Sequence, residues 1–121
     1  MEKSDAVAAL AALAQDNRLD VFRLLVQAGP PGMPAGAVAT ALGLAPNTLT
    51  FHFGRLRAAG LVTVRRQGRS MIYAARFDTM NALLGFLTEN CCGGAPEPCA
   101  PVAMCTPVRG RRAKVSAGGR S

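Results

Sequence analysis

The chain has 121 residues, of which 50% are apolar, and it carries a net charge of +7. This length predicts a single domain. No run of 18 apolar residues and no signal-peptide start are present, which argues against a membrane protein or a secreted one. We therefore expect a cytoplasmic protein, in which clustered cysteines favour metal or redox roles over structural disulfides.

The positive charge is unevenly distributed along the chain. Five basic residues and no acid follow Thr106, which predicts a basic, disordered tail at residues 106–121. Between Asp20 and Asp78 there is no acidic residue, whereas six arginines fall within residues 55–76. A stretch of this kind often forms only a solvated surface, but its density here favours a nucleic-acid partner.

Hydrophobic spacing and turn residues predict five helices and a hairpin. The predicted helices cover residues 5–14, 18–28 after a cap at Asp16–Asn17, 35–42, 46–59 and 78–90 with Asp78 as cap. The predicted strands cover residues 61–66 and 70–75, joined by a turn at Gly68. A short helix, a glycine-containing turn, a longer helix and a basic hairpin form the layout of a winged helix–turn–helix.

The expected fold is mostly α with a small β-hairpin. We assign residues 1–90 to the winged helix–turn–helix domain, residues 91–105 to a cysteine-rich segment and residues 106–121 to the basic tail.

The longer helix, at residues 46–59, has two distinct faces at about 100° per residue. Leu49, Phe53 and Leu56 mark the inward face. The opposite face and its flanks are the candidates for contact with DNA: Asn47, Thr48, Thr50, Phe51 and Arg55. Asparagine can bond to adenine, threonine to either kind of base edge, and an aromatic ring can contact the thymine methyl. The alternative is that Phe51 is a core residue.

Other side chains near this helix have different expected roles. Arg65, Arg66 and Arg69 surround the hairpin turn and suit phosphate or minor-groove contacts, which supply affinity more than sequence choice. His52 is the single histidine and lies on the flank of the core face. Its position favours a hydrogen-bonded structural role over a DNA contact or a metal ligand.

All four cysteines fall within 15 residues, at Cys91, Cys92, Cys99 and Cys105. Thiolates select soft ions. Adjacent side chains diverge by about 100° on an intact helix, so Cys91 and Cys92 can share an ion only where the helix frays. Three thiolates suit trivalent arsenic or antimony, whereas zinc prefers four and would recruit Cys105. A disulfide-based redox switch is a further alternative.

The order and spacing of several segments resemble the ArsR/SmtB family of bacterial metal-sensing repressors. These segments are residues 11–25, 47–53, 60–62 and 65–69, and the likeness covers about residues 8–90. The resemblance implies a homodimer paired through its first and last helices. It also implies binding to an imperfect inverted repeat of double-stranded operator DNA, release by an inducer, and no enzymatic activity. Thr50, Phe51 and His52 match the family's Ser-x-His stretch, which adds His52 to the DNA-binding set.

The resemblance also bears on the inducer. The family's best-known arsenic site uses cysteines around the third helix, and its zinc site uses histidines on the last helix; this chain has neither. Cys91, Cys92 and Cys99 resemble the ligands of an arsenic-sensing branch. We therefore expect a repressor released by arsenite, antimonite or methylarsenite, with no permanent cofactor and Cys105 as a possible extra ligand. The alternative is the same fold switched by cysteine oxidation or by another thiophilic ion such as cadmium or zinc.

Overall fold

The computed structural model describes residues 1–94. The elements in chain order are α1 (Lys3–Leu13), α2 (Asp16–Ala28), β1 (Met33–Pro34), α3 (Ala35–Leu42), α4 (Pro46–Ala58), β2 (Val62–Gln67), β3 (Ser70–Ala75), α5 (Phe77–Leu87) and a 3₁₀ turn (Cys91–Gly94). The chain divides into a unit at Met1–Glu89 and a second unit that begins at Asn90. No helix within residues 1–94 is long and apolar enough to cross a membrane.

The sheet has three antiparallel strands in the order β1–β3–β2. The β2–β3 hairpin was predicted, but β1 was not, because two residues are too short to show a strand pattern. β1 pairs Met33 with Tyr73. Gly32, just before it, has a φ of +73°, and a Cβ there would clash with the Tyr73 carbonyl oxygen. A glycine is therefore required for β1 to approach β3.

The core of the Met1–Glu89 unit lies between the helices and the hairpin. Its largest fully buried side chains are Leu25, Leu49, Leu56, Leu61, Val21 and Val38. The Phe53 and Tyr73 rings stack with centroids 3.6 Å apart and join α4 to β3. The buried residues of α1 are all alanines, at Ala6, Ala9 and Ala12, and Leu13 is partly buried against the same core. Small side chains let α1 lie close to its neighbours but bury little apolar area.

Several helix ends differ from the prediction. α2 is capped by Gln15, whose Oε1 accepts a hydrogen bond from the Arg18 backbone N–H at 2.9 Å, so the predicted cap at Asp16–Asn17 is wrong. The longer Gln15 side chain reaches this donor from one residue earlier, which leaves Asp16 in the first turn.

The ends of α5 also differ. Arg76 occupies the position before the helix, and Asp78 pairs with the Arg76 guanidinium at 2.8 Å instead of capping. The helix ends at Leu87, three residues earlier than predicted. Asn90 has a φ of +58°, which is incompatible with a continuing right-handed helix.

Candidate DNA-binding surface and thiol segment

α4 has the two faces that its sequence predicts. Leu49, Phe53 and Leu56 are buried. The residues proposed to face DNA, apart from His52, are all exposed: Asn47, Thr48, Thr50, Phe51 and Arg55. Phe51 is 56% exposed, so the alternative that it belongs to the core is wrong. An exposed phenylalanine in the middle of this face gives α4 an apolar group where a DNA groove would meet it.

Two neighbouring side chains hold the Phe51 ring. The Arg55 Cζ atom lies over the ring, 5.2 Å from its centroid, which is within the range of a cation–π interaction. The His52 ring meets Phe51 at a centroid distance of 5.7 Å and an interplanar angle of 62°, an edge-to-face arrangement. The Phe51–Arg55 contact was not predicted from the sequence, although side chains four residues apart on a helix are neighbours.

The Thr50 hydroxyl is already engaged within α4. Its Oγ1 donates to the Pro46 carbonyl oxygen at 2.9 Å. This bond uses the hydroxyl hydrogen, so Thr50 offers an acceptor and a methyl group to an outside partner, and no donor.

His52 does not belong to the exposed face. It is only 5% exposed, which removes it from the side chains that can touch DNA directly and corrects its assignment to the DNA-binding set. Its Nδ1 has no hydrogen-bond partner among residues 1–94, so the expected hydrogen bond is missing at this atom. Burial, and then the positive charge of Arg18, lower the pKa of His52 from its ordinary value.

The hairpin arginines are exposed and partly positioned by the backbone. Arg65 donates from Nη2 to the Pro31 carbonyl oxygen at 2.9 Å, and Arg66 donates from Nε to the Gly68 carbonyl oxygen at 3.3 Å. Arg69 lies in the turn itself. In the part of the chain that the structure describes, the one salt bridge joins Arg76 to Asp78. The charges of the three hairpin arginines are therefore not neutralised by carboxylates of this region.

Cys91 and Cys92 lie in the 3₁₀ turn after α5, and their Sγ atoms are 3.5 Å apart. The two side chains converge because the backbone leaves helical geometry, with a φ of +55° at Cys92. Cys91 is disulfide-bonded, and the distance to the Cys92 sulfur is too long for a bond between these two.

The other two predicted ligands, Cys99 and Cys105, lie outside the described residues. Within residues 1–94 alone, no group of three histidine, cysteine or carboxylate side chains is arranged to hold a metal ion.

A helix–turn–helix domain model matches residues 13–65. The nodulation protein NolR of Rhizobium meliloti is 34% identical over 80 residues, which cover 66% of this chain and 63% of that protein, just under two thirds of its length. The uncharacterised HTH-type transcriptional regulator YceK of Bacillus subtilis is 34% identical over 77 residues, covering 63% of this chain and 76% of that one.

Solved structures show the same fold. An ArsR-like transcriptional regulator from Rhodococcus sp. RHA1 is 26% identical with a TM-score of 0.62, covering 69% of this chain and 76% of that one. HlyU from Vibrio cholerae is 29% identical with a TM-score of 0.58, covering 72% and 97%. A homodimeric winged helix-turn-helix DNA-binding domain from Mycobacterium bovis, described as a possible ArsR-family regulator, is 26% identical with a TM-score of 0.58, covering 78% and 87%.

The fold and the exposed face of α4 define a winged helix–turn–helix DNA-binding protein. The chain belongs to the ArsR family of transcriptional regulators. This is a class of DNA-binding regulators and not of enzymes.

Proposed function

We propose that the protein is a transcriptional repressor that binds an inverted-repeat operator as a homodimer and is released when trivalent arsenic binds Cys91, Cys92 and Cys99. The inducer would be arsenite or its antimony counterpart antimonite, each of which accepts three thiolates, or methylarsenite, whose carbon ligand leaves positions for two. The observation that carries the inducer assignment is the pair of adjacent sulfurs, 3.5 Å apart, directly after the last helix.

DNA binding by the hairpin and α4 is supported by their chemistry. α4 offers an amide, methyl groups and an aromatic ring, which are groups that recognise base edges in a major groove. The hairpin adds Arg65, Arg66 and Arg69 as exposed cations for the phosphate backbone. α4 would thus determine which DNA sequence is chosen, and the hairpin would supply affinity for the phosphate backbone.

A homodimer through α1 and α5 is supported by the apolar side chains that these helices leave uncovered. Val7 and Leu10 on α1 are 58% and 42% exposed, and Leu87 on α5 is 55% exposed. α1 and α5 contact each other within the protomer, so these residues belong to neighbouring helices. Apolar side chains grouped on neighbouring helices are typical of an interface between protein chains, and the similar domain from Mycobacterium bovis is a homodimer.

Arsenic binding is supported by ligand type and by the spacing of the sulfurs. Two thiolates bound to one ion at about 2.3 Å each can lie at most about 4.6 Å apart. Once the disulfide at Cys91 is reduced, sulfurs at a separation of 3.5 Å are near enough for Cys91 and Cys92 to share an ion. Cys99 would supply the third thiolate, which leaves a trivalent ion neutral and fully coordinated.

Release would follow from the position of the thiols directly after α5 in the chain. Gathering three cysteines around one ion tightens the end of that helix, which we place in the dimer interface. Recognition helices must meet successive major grooves one turn apart, so a small change in their separation weakens binding. A coupling of about 1–3 kcal/mol would reduce operator affinity about 5- to 150-fold, which is sufficient for derepression.

Arsenite titration of the reduced protein on its operator tests this function. Serine at Cys91, Cys92 or Cys99 should leave DNA binding intact and abolish release by arsenite, measured by fluorescence anisotropy of labelled duplex. Cys105→Ser is the matched control and should be released like the unmodified protein. A protein with serine at all three ligand positions that arsenite still releases would rule out this site as the sensor.

Oxidation of the same thiols is the second candidate, favoured by the disulfide at Cys91. A redox-switched repressor would leave DNA on treatment with peroxide and return on addition of a dithiol, and arsenite would have no effect on the reduced form. If a metal chelator released the reduced protein instead, a resident zinc ion would be indicated.

A further inference from the structure

The exposed face of α4 carries two side chains that contact each other outside the core of the domain. Phe51 and Arg55 are four residues apart on α4, both are exposed, and the Arg55 guanidinium lies over the Phe51 ring. An exposed phenylalanine costs free energy in water unless a partner covers it. The pair is not part of the core and is available to a partner.

The Phe51 ring contacts two side chains of α4 before any DNA arrives. His52 is buried in the domain and its ring is inclined at 62° to that of Phe51, while Arg55 lies over one face of the Phe51 ring. A side chain that is already held in place loses little conformational entropy on binding, which increases its contribution to affinity. His52 is thus a positioning residue for Phe51.

The same contact positions Arg55. A guanidinium that lies over an aromatic ring can still donate hydrogen bonds from the N–H groups at its edge. In a major groove, such an edge matches the O6 and N7 acceptors of guanine, while an aromatic ring matches the thymine methyl. The guanidinium and the ring are 5.2 Å apart, whereas base pairs are stacked about 3.4 Å apart. The two groups can therefore contact neighbouring base pairs.

We infer that Phe51 and Arg55 form one recognition unit that contacts a thymine methyl and a guanine on an adjoining base pair in each operator half-site. This inference rests on the proposed function, because it requires α4 to lie in the major groove. It specifies the base step that the protein selects. Thr50, whose hydroxyl hydrogen is used by Pro46, can only add its methyl or accept a bond beside this step.

The test uses the duplex that the protein enriches from a random library, with single bases modified. Uracil in place of thymine removes only the methyl group, and 7-deazaguanine in place of guanine removes only the N7 acceptor. For the wild-type protein, replacing one particular thymine by uracil should reduce the affinity about fourfold, which corresponds to the loss of one buried methyl group. A guanine on an adjoining base pair should show a loss of about 5-fold or more.

The variants then assign each loss to its side chain. Phe51→Ala should abolish the uracil effect and also reduce the 7-deazaguanine effect, because Arg55 loses its support. Arg55→Met keeps an unbranched side chain but removes the N–H donors, so it should abolish the 7-deazaguanine effect alone. Arg66→Ala on the hairpin is the control: it should bind more weakly overall and retain both effects.

The outcomes separate this inference from the function on which it rests. Selective operator binding with no thymine–guanine step, or with both base effects unchanged in Phe51→Ala, would overturn the recognition unit and leave the repressor assignment standing. Failure of the unmodified protein to enrich any duplex would overturn both. Thermal unfolding of the Phe51→Ala and Arg55→Met proteins at the wild-type temperature would show that the variants act on DNA contacts and not on folding.

Discussion

The imidazole of His52 makes the stability of the domain sensitive to pH. Its pKa in the folded protein is lowered by burial and by Arg18, so it lies below the ordinary value of 6.5. At pH values well above 6.5 the ring is neutral in both the folded and the unfolded chain. As the pH falls below 6.5, the unfolded chain binds a proton that the folded chain resists, and the free energy of unfolding decreases until the pH passes the lowered pKa.

We predict that urea unfolding midpoints will decrease as the pH is lowered from about 7 to about 5, and that His52→Gln will remove most of this dependence. His52 is the single histidine of the chain, so no other imidazole titrates in this range. A His52→Gln protein with the same pH dependence as the unmodified one would contradict the assignment.

At the scale of elements, the β2–β3 hairpin is expected to supply affinity without sequence choice. Replacing Arg65, Arg66 and Arg69 together by alanine should weaken binding to operator and to random DNA by similar factors. The slope of log K against log salt should become shallower by about 0.9 for each phosphate that the variant no longer neutralises. Electrophoretic or anisotropy titrations at several salt concentrations measure both quantities.

Arg76→Ala is the control for the hairpin variant, because the Arg76 charge is already paired with Asp78. It should change the salt slope little. Asn47→Ala on α4 should show the opposite pattern, a loss of discrimination between operator and random DNA at a nearly unchanged salt slope. A hairpin variant that altered only sequence preference would contradict this division.

How far the sequence predicted these elements depended on the range of the interactions that define them. The two faces of α4 follow from local periodicity, so the buried Leu49 and the exposed Asn47 were predicted correctly. β1 exists only because Gly32 allows a close approach to Tyr73, a contact between distant parts of the chain that local patterns do not contain. The end of α5 was misplaced because Asn90 gives little sequence signal for its positive φ.

The residues of the candidate site also differ in how far the sequence predicted them. The exposure of Phe51 was one of two alternatives in the sequence, and only tertiary packing decided between them. The position of His52 on the helix predicted a structural role, whereas the family pattern predicted a DNA contact. Its burial supports the structural role. The thiol pair was predictable from adjacency, since two neighbouring cysteines after a helix end converge wherever the backbone departs from helical geometry.

At the scale of the whole molecule, we predict that dimerisation depends on the uncovered apolar side chains of α1 and α5. Leu10→Glu together with Leu87→Glu should produce a monomer at micromolar concentration, because charges placed in an apolar interface would be buried without partners. Operator affinity should decrease in the monomeric variant, since two linked domains are needed to occupy an inverted repeat. Sedimentation equilibrium measures the mass, and anisotropy the binding.

Met71→Glu provides a matched control for the dimer variant. Met71 is another large apolar side chain, 40% exposed, but it lies on β3 in the hairpin. This protein should remain dimeric. A monomeric Met71→Glu protein, or a dimeric Leu10→Glu, Leu87→Glu protein that still binds operator, would contradict pairing through α1 and α5.

The placement of the cysteines has a consequence for how such a regulator diverges. All four cysteines follow Glu89, so the unit at Met1–Glu89 contains no cysteine. Mutations that add, remove or respace thiols therefore leave the packing of that unit untouched. Under the proposed function, a lineage can change the chemical signal to which it responds while its promoter targets stay the same, and selection on the two properties can proceed at different speeds.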